Sequence, residues 1–251
     1  MCILLVGSIC AELSFLRRLI SKCDLMKKVS KDQLKQSRPR RGGVVLVPTA
    51  NTLAELRQAA SRCKACDLWK RATQTVFGEG SSRSNIMFVG EQPGDKEDRA
   101  GHPFVGPAGK LLNEAMAQAG IDGAEAYMTN VVKHFSWTPA ERGKRRIHKK
   151  PRYSGIQACR PWLDAELRVV RPQVLVCLGA TAAQSLLGRT FSVNRQRGQL
   201  VESSLAPYVI ATVHPSSILR APDSESRQSQ MRAFVDDLKK VARIAFNRQA
   251  A

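Results

Sequence analysis

At 251 residues, with 43% hydrophobic and 24% charged residues, the chain has the make-up of a globular protein, either one large domain with a tail or two small domains. Its 40 Lys and Arg residues exceed its 21 Asp and Glu residues by 40 − 21 = 19, and this balance implies a polyanionic partner, most simply nucleic acid. No apolar run reaches the ~18 residues of a membrane-spanning helix, and seven cysteines in such a chain favour metal ligands or free thiols over a disulfide framework.

The first 50 residues differ in character from the rest of the chain. They contain ten Lys or Arg residues against three acidic ones, and their second half lacks the apolar spacing of a packed core. Their apolar opening has no preceding positive residue and no clear cleavage site, so we expect no secretory signal peptide. We predict a basic, flexible arm over residues 1–50, a folded domain over residues 51–251, and a cytoplasmic, nucleoid-associated protein.

From Thr52 onward, helical and strand patterns alternate. Thr52 and Glu55 form a capping-box signature at the start of the first helix, and a glycine follows the second helix. Alternation of this kind predicts a three-layer αβα sandwich around a short, mostly parallel sheet, in which ligands bind at the carboxyl ends of the strands. The predicted helices are 52–61, 107–119, 156–170, 181–187 and 226–246, and the predicted strands are 85–90, 126–132, 173–178 and 208–213.

Four cysteines of the predicted domain are candidate metal ligands. Cys63 and Cys66 form a C-x-x-C pair, and Cys159 and Cys177 follow far downstream with 17 residues between them. Four thiolates suit zinc or a [4Fe–4S] cluster, and the wide second spacing fits a cluster better than a zinc ribbon. The alternative is an incidental pair and two buried structural cysteines, since Cys177 falls in a predicted buried strand.

The first predicted strand runs into a glycine-bounded turn, whose sequence is Gly90-Glu91-Gln92-Pro93-Gly94-Asp95. Glycines let the backbone approach a ligand closely, whereas the plainer interpretation is a strand-to-loop turn with solvated acids. Residues 101–110 form a second loop, which lacks the first glycine of a nucleotide-binding P-loop and has Leu111 in place of Ser or Thr. We therefore exclude nucleotide hydrolysis; Phe104 in this loop could stack on a base or anchor the loop in the core.

Two further polar positions follow predicted strands. Asn130 lies late in the second strand, where its amide could read the edge of a pyrimidine or simply satisfy local backbone. His214 follows the fourth strand and could donate to a carbonyl oxygen that gains charge. Ser216 and Ser217 behind it could hold phosphates, or could cap an ordinary turn.

Residues 142–152 form a basic run in which seven of eleven residues are Lys or Arg. With no apolar face to bury, the run is expected to be a solvent-facing loop, and Lys144, Arg145 and Arg146 would contact phosphates. His148 in its middle can act as a neutral nucleophile or base near pH 7. The alternative is a solvated basic loop with an incidental histidine.

In order and spacing, these elements resemble the family 4 uracil-DNA glycosylases over roughly residues 52–246. The resemblance is carried by C-x-x-C, GEQPG, PFVGPAGK, TNVVK, the downstream Cys pair and HPSS. The insertion KRRIH at residues 144–148, together with Glu91-Gln92 in the turn, is similar to the UdgX subgroup of that family.

The resemblance implies a uracil-DNA glycosylase fold with a [4Fe–4S] cluster on the four cysteines, and uracil flipped into a pocket at the GEQPG turn. It also implies that Phe104 stacks on the base, Asn130 reads its edge and His214 supports the uracil O2. In UdgX-like proteins the loop histidine, here His148, becomes bonded to C1′ of the abasic sugar, and Glu91 could orient it. We expect a monomer that acts on uracil-containing DNA, preferably single-stranded because flipping a base out of a duplex costs energy. The alternatives are an ordinary turnover glycosylase and a non-enzymatic nucleic-acid-binding protein with a structural metal site.

Overall fold

The structure, a computed structural model, describes residues 52–141 and 145–246. The predicted arm over residues 1–50 and the predicted phosphate contact Lys144 lie outside the described residues. No helix in the described part is long and apolar enough to cross a lipid bilayer.

Helices and strands alternate along the described chain. In chain order they are α1 (Leu53–Ala60), β1 (Ile86–Gly90), α2 (Asp95–Ala100), α3 (Pro107–Gln118), β2 (Ala126–Asn130), β3 (Trp137–Pro139), β4 (Arg146–His148), α4 (Tyr153–Val170), β5 (Val174–Leu178), α5 (Ala180–Leu187), α6 (Val193–Gln196), β6 (Leu200–Val201), β7 (Tyr208–Thr212), α7 (Pro215–Leu219) and α8 (Ser224–Phe246). Short 3-10 helices cover Asp67–Lys70 and Gly123–Glu125.

The central sheet has five strands in the order β2-β1-β5-β7-β6. Strands β2, β1, β5 and β7 run parallel, and only the short edge strand β6 pairs antiparallel with β7. Because the four parallel strands point the same way, the segments that follow Gly90, Asn130, Leu178 and Thr212 all leave the same edge of the sheet.

The two faces of the sheet are covered by different helices. Side chains of α3, α7 and α8 pack on one face, and side chains of α4, α5 and α6 pack on the other. Alternate residues of each strand serve the two layers, as in β5, where Val176 belongs to the first cluster and Cys177 to the second. Helix α1 packs outside α4 around Leu56 and Trp162. The three-layer sandwich predicted from the sequence is confirmed.

The predicted elements are present with small differences at their ends. The capping box of α1 is formed as predicted, with Thr52 Oγ1 accepting from Glu55 N at 3.2 Å and Glu55 Oε2 accepting from Thr52 N at 3.2 Å. Helix α4 begins at Tyr153, three residues earlier than predicted, and β2 ends at Asn130, two residues earlier. The sequence patterns did not predict α2, α6, α7, β6 or the β3–β4 hairpin.

The hairpin corrects part of the prediction of a solvent-facing loop over residues 142–152. Residues 146–148 form a strand, whereas most of the described residues of the run are exposed to solvent as predicted. Strand β4 lies in the basic run and pairs antiparallel with β3, so that Trp137 stands opposite His148 and Pro139 opposite Arg146. Strands of only three residues are too short to show a hydrophobic periodicity in the sequence. Long-range contacts hold strand β4, and they are made by Arg146 and by the turn after β1.

Candidate active site at the carboxyl edge of the sheet

Gly90, Phe104 and Asn130 meet where β1 and β2 end. Gly90 and Asn130 are paired in the parallel ladder. A Cβ added to Gly90 would overlap Asn130 Oδ1 and lie 2.9 Å from Phe104 Cζ. The absence of a side chain at Gly90 therefore lets the amide and the aromatic ring come together beside the backbone of the turn.

The loop that carries Phe104 is packed tightly against the start of α3. Phe104 has a positive φ of 57°, an uncommon backbone conformation for a bulky residue, and its side chain is buried. A Cβ at Gly109 would overlap the Phe104 carbonyl, and Glu97 Oε1 accepts from Gly106 N at 2.8 Å. These contacts hold the Phe104 ring in one position, so it anchors the loop. Stacking of the same ring on a base stays a prediction.

Asn130 is 4% exposed, and its side-chain amide has no hydrogen-bond partner in the described part of the chain. Hydrogen bonds from Lys133 hold its backbone. Lys133 Nζ donates to Asn130 O at 2.8 Å and to Glu166 Oε2 at 2.5 Å. The Glu166 carboxylate, fully buried on α4, also accepts from Tyr127 and Thr129. A buried ion pair with this many partners holds the strand end while leaving the Asn130 amide available to a ligand.

His214 stands at the N-cap of α7 with a defined tautomer. Its Nδ1 accepts from Ser216 N at 3.2 Å and lies 2.8 Å from Ser216 Oγ, so in the neutral ring the proton is on Nε2. Burial, together with the charges of Arg220 and His148, lowers the pKa of His214 to about 4. Near pH 7 the ring is therefore a neutral donor through Nε2–H.

Stability should depend on pH through His214. The folded state disfavours its protonation, whereas in the unfolded chain it takes up a proton as the pH falls through 6.5. The free energy of unfolding should therefore fall between pH 6.5 and about 4, and His214→Asn should lose less stability over this window than the wild-type chain. Urea unfolding of both proteins at pH 7.5 and pH 5 measures the difference; equal losses would contradict it.

His148 reaches the turn after β1 from the hairpin. Its Nε2 lies 2.8 Å from Gln92 Nε2 and 3.6 Å from Glu91 Oε1, and its side chain is 51% exposed. Thr181 Oγ1 donates to the other oxygen of Glu91 and so fixes the carboxylate. The structure thus brings Glu91 to His148, the pair that the sequence proposed, and leaves the ring open to solvent on another side.

Gln92 fastens the hairpin to the turn. Its amide nitrogen lies 3.2 Å from Ser136 O and 3.1 Å from Lys149 O, and its Oε1 accepts from Ser136 N at 3.1 Å. These residues flank the two strands of the hairpin. The sequence predicts Gln92 as a substrate-binding residue, whereas in the structure its side chain is hydrogen-bonded to the hairpin that carries His148.

Arg146 holds the hairpin from its other side, which differs from the predicted phosphate contact. Its side chain is 11% exposed, and its Nη1 donates to Asp98 Oδ2 at 2.6 Å while its Nε donates to Asp95. The guanidinium also lies 5.3 Å from the ring centre of Phe135 and 5.5 Å from that of Trp137. Its donors are directed at carboxylates within the protein, so it is a structural link between β4 and α2.

The remaining predicted site residues lie in three places. Arg145 is exposed beside Arg146 and remains a predicted phosphate contact. Ser216 faces His214 Nδ1, and Ser217 Oγ donates to His214 O at 2.8 Å, so both hydroxyls are already used within the α7 turn. Pro93 is buried, and Gly94 is the N-cap of α2, close enough to Glu97 that a Cβ would lie 2.6 Å from its Oε2.

Three of the four predicted cysteine ligands lie in one region. Cys66 is hydrogen-bonded to Cys159, an interaction that lowers the pKa of Cys66, and Trp162 Nε1 lies 3.2 Å from Cys63 Sγ. Lys133 N donates to Cys159 Sγ at 3.4 Å. Donors directed at sulfur suit thiolates, although in the described part no three Cys, His, Asp or Glu side chains converge on a single-ion site.

Cys177 differs from the other three cysteines. It lies in the centre of β5 with no exposed surface, and burial alone raises its pKa to about 12. Within residues 52–141 and 145–246 no polar contact joins it to Cys63, Cys66 or Cys159. The predicted set of four cysteines therefore does not fit the structure well. The alternative, in which Cys177 is a small buried apolar residue, fits better.

Two residues that the sequence interpretation missed belong to this arrangement. Asp98 is fully buried and pairs with Arg146; it lies three residues after Asp95 on the same helix face, a spacing that would have suggested a shared partner. His134, buried beside Cys66, was overlooked because a single histidine after a strand carries no spacing signal.

Known proteins are similar in sequence to most of this chain. Residues 77–239 match the Uracil DNA glycosylase superfamily. The chain is 35% identical over 189 residues to the type-4 uracil-DNA glycosylase of Thermotoga maritima, covering 73% of this chain and 89% of that protein. It is 33% identical over 205 residues to the one from Archaeoglobus fulgidus, covering 79% and 96%, and 32% identical over 206 residues to the one from Sulfurisphaera tokodaii, covering 78% and 86%.

Proposed function

The chain belongs to the uracil DNA glycosylase superfamily, and from this premise we propose that it excises uracil from DNA and retains the abasic product as a covalent adduct of His148. The observation that carries the second half of the proposal is the position of His148. Its imidazole lies against Glu91 and Gln92, in the turn that begins at Gly90 beside Asn130 and Phe104.

The excision step uses groups at the carboxyl edge of the sheet. Breaking the C1′–N1 bond sends its electron pair to uracil, which leaves as an anion, and makes the sugar cationic. The neutral His214 ring presents its Nε2–H to the O2 that gains charge, and Asn130 offers its unpaired amide to the edge of the base. Phe104 supplies a flat apolar surface for the flipped ring.

The capture step uses His148 in place of water. Gln92 Nε2 can only donate, so in the neutral His148 ring Nε2 carries the lone pair and Nδ1 carries the proton. When Nε2 leaves Gln92 and bonds to C1′, the ring becomes positively charged, and it is neutral again once the Nδ1 proton is lost to solvent. Glu91, 3.6 Å away, stabilises that charge. A nucleophile held beside the sugar has an effective concentration far above that of a freely diffusing group, and the Gln92 and Arg146 contacts hold it there.

The charge around His148 fits a DNA partner. Arg145, Lys149, Lys150 and Arg152 are exposed on the hairpin and just after it, and each can contact a phosphate. The charge of the whole chain, with 40 Lys and Arg against 21 Asp and Glu, also favours a polyanionic partner. We infer a monomer that prefers single-stranded DNA, in which no base pair must be broken, and that is associated with the nucleoid.

We also propose a [4Fe–4S] cluster, held in part by Cys63, Cys66 and Cys159. When bound, the cluster would supply iron–thiolate bonds that tie the segment after α1 to α4, and through the Lys133 backbone to the end of β2. Its place in the proposal is structural. A brown preparation with broad visible absorbance is expected, and a colourless one would contradict it.

The proposal is tested by mixing the protein with a single-stranded oligonucleotide containing one uracil, then boiling in detergent and running a denaturing gel. We expect a slow band at the combined mass of protein and DNA, and no such band with thymine in place of uracil. Excess abasic DNA and free uracil without the band would favour the ordinary turnover glycosylase. Salt-sensitive binding that is indifferent to uracil would favour the non-enzymatic alternative.

Gly90→Ala should slow uracil excision by about 100-fold or more, a loss typical of a misplaced catalytic constellation. The new Cβ would overlap Asn130 Oδ1 and press on Phe104, so both groups that receive the base must move. Single-turnover release of uracil measures the effect. Gly123→Ala is the matched control, because its Cβ would lie 4.0 Å from Met116 and disturb nothing; equal rates for the two variants would contradict the assignment of the pocket.

A further inference from the structure

His134 has an unusual set of contacts for a buried histidine. It is 4% exposed, and its Nδ1 is buried without a hydrogen-bond partner in the described part of the chain. Its Nε2 lies 3.0 Å from Thr75 Oγ1, which donates in turn to Ala60 O at 3.1 Å. A buried polar atom without a partner is costly and calls for a ligand or another explanation.

The contacts of Thr75 fix which ring nitrogen carries the proton. A hydroxyl has one hydrogen, and here it is directed at Ala60 O, so Thr75 Oγ1 can only accept from His134 Nε2. The proton of the neutral ring is then on Nε2, and Nδ1 presents an unprotonated lone pair. Histidines that bind metals have this arrangement, with one nitrogen on the metal and the other donating to a protein oxygen.

The surroundings of His134 supply the other ligands. Cys66 lies beside both Cys159 and the His134 ring. Cys63 belongs to the same C-x-x-C pair and faces the indole N–H of Trp162. Cys177, by contrast, is enclosed among apolar side chains of the sheet and has no polar partner in the described residues.

We propose that His134, through Nδ1, is the fourth ligand of the cluster together with Cys63, Cys66 and Cys159, and that Cys177 is not a ligand. The inference rests on the proposed cofactor and is independent of the proposed adduct of His148. Thr75 is the positioning residue, because it accepts the Nε2–H and so leaves the Nδ1 lone pair available for iron.

A neutral imidazole in place of a thiolate changes the charge of the cluster by one unit. Replacing cysteine ligands by histidine raises the reduction potential of iron–sulfur centres. The wild-type cluster should therefore have a higher potential than the cluster of His134→Cys, which restores four thiolates at the same place.

The test uses full-length protein purified without oxygen, assayed for iron and acid-labile sulfide and examined by pulsed EPR after reduction. We expect four irons in wild-type and in Cys177→Ala, with nitrogen hyperfine coupling in both. His134→Cys should keep four irons, lose the nitrogen coupling and show a lower potential. His134→Ala should lose at least one iron.

Loss of the cluster in Cys177→Ala, or a full complement of iron with unchanged nitrogen coupling in His134→Ala or His134→Cys, would overturn the inference. If His134→Ala does not fold, His134→Cys still decides it. Wild-type protein without iron and sulfide would overturn both the cofactor and this ligand set, whereas the uracil-dependent gel band would still report on the glycosylase proposal.

Discussion

His148→Ala should lose the boil-resistant protein–DNA band by at least about 100-fold, while free uracil and abasic DNA accumulate in excess of the protein. The excision groups Asn130, Phe104 and His214 do not depend on the imidazole of His148 for their positions. Removal of the ring opens the sugar to water, which then captures the cation that the histidine would have captured. His148→Ser should behave in the same way.

The measurement combines a denaturing gel with quantification of uracil released per protein molecule. His102→Ala is the matched control, since His102 is an exposed histidine paired with Glu79 at 2.5 Å and lies outside the proposed capture step. It should keep the band and release no more than one uracil per molecule. A band of wild-type strength in His148→Ala would end the proposal of capture by this residue, and a failure of both His148 variants to release uracil would show that the ring also takes part in excision.

The sheet and its helices were predictable because their signals are local and repeated. Strands such as β1 and β5 are continuous buried runs bounded by glycine or proline, and α1 has a complete capping box. The carboxyl edge follows from strand direction alone, and for this reason the sequence predicts Asn130 and His214 at the same edge of the sheet.

The hairpin was not predictable from pattern because its stability is not local. The basic run has no apolar period, and what orders β4 is the pairing of Arg146 with carboxylates about 50 residues earlier in the chain. Gln92 adds amide contacts from the turn after β1. A basic run in the sequence predicts that Arg146 contacts phosphates. It gives no sign that Asp95 and Asp98 bind the Arg146 guanidinium within the protein.

The fourth ligand of the proposed cluster is likewise not predictable from local sequence. Cysteine spacing is a good guide to C-x-x-C pairs, and Cys63 and Cys66 agree with it. The choice between Cys177 and His134 depends on which side chains the fold brings to Cys66, and on the buried His134 Nδ1, whose lack of a partner in the described residues follows from the tertiary structure. Counting cysteines favours a set of four, and nothing in the sequence indicates that one of them is enclosed in the sheet.

Arg146→Ala should reduce adduct formation by about 10-fold or more and should also destabilise the fold. Its removal leaves the fully buried Asp98 carboxylate without its cation, a loss of about 3–5 kcal/mol when one partner of a buried pair is removed. It also frees β4 from α2, so His148 is no longer held beside the sugar, and uracil should be released instead. Chemical unfolding and the gel assay measure the two effects separately.

The double variant Arg146→Ala with Asp98→Asn separates positioning from stability. A neutral amide at position 98 needs no cation, and Thr73 N can still donate to its oxygen, so part of the lost free energy of unfolding should return. Adduct formation should stay low, because the link between the hairpin and α2 is still absent.

Arg145→Ala is the control for loss of charge alone. It removes an exposed charge next to Arg146, and it should weaken DNA binding and its salt dependence while leaving the fold intact. If the double variant regained both stability and the adduct, Arg146 would serve the fold alone, and the hairpin would have to be placed by Gln92 without it.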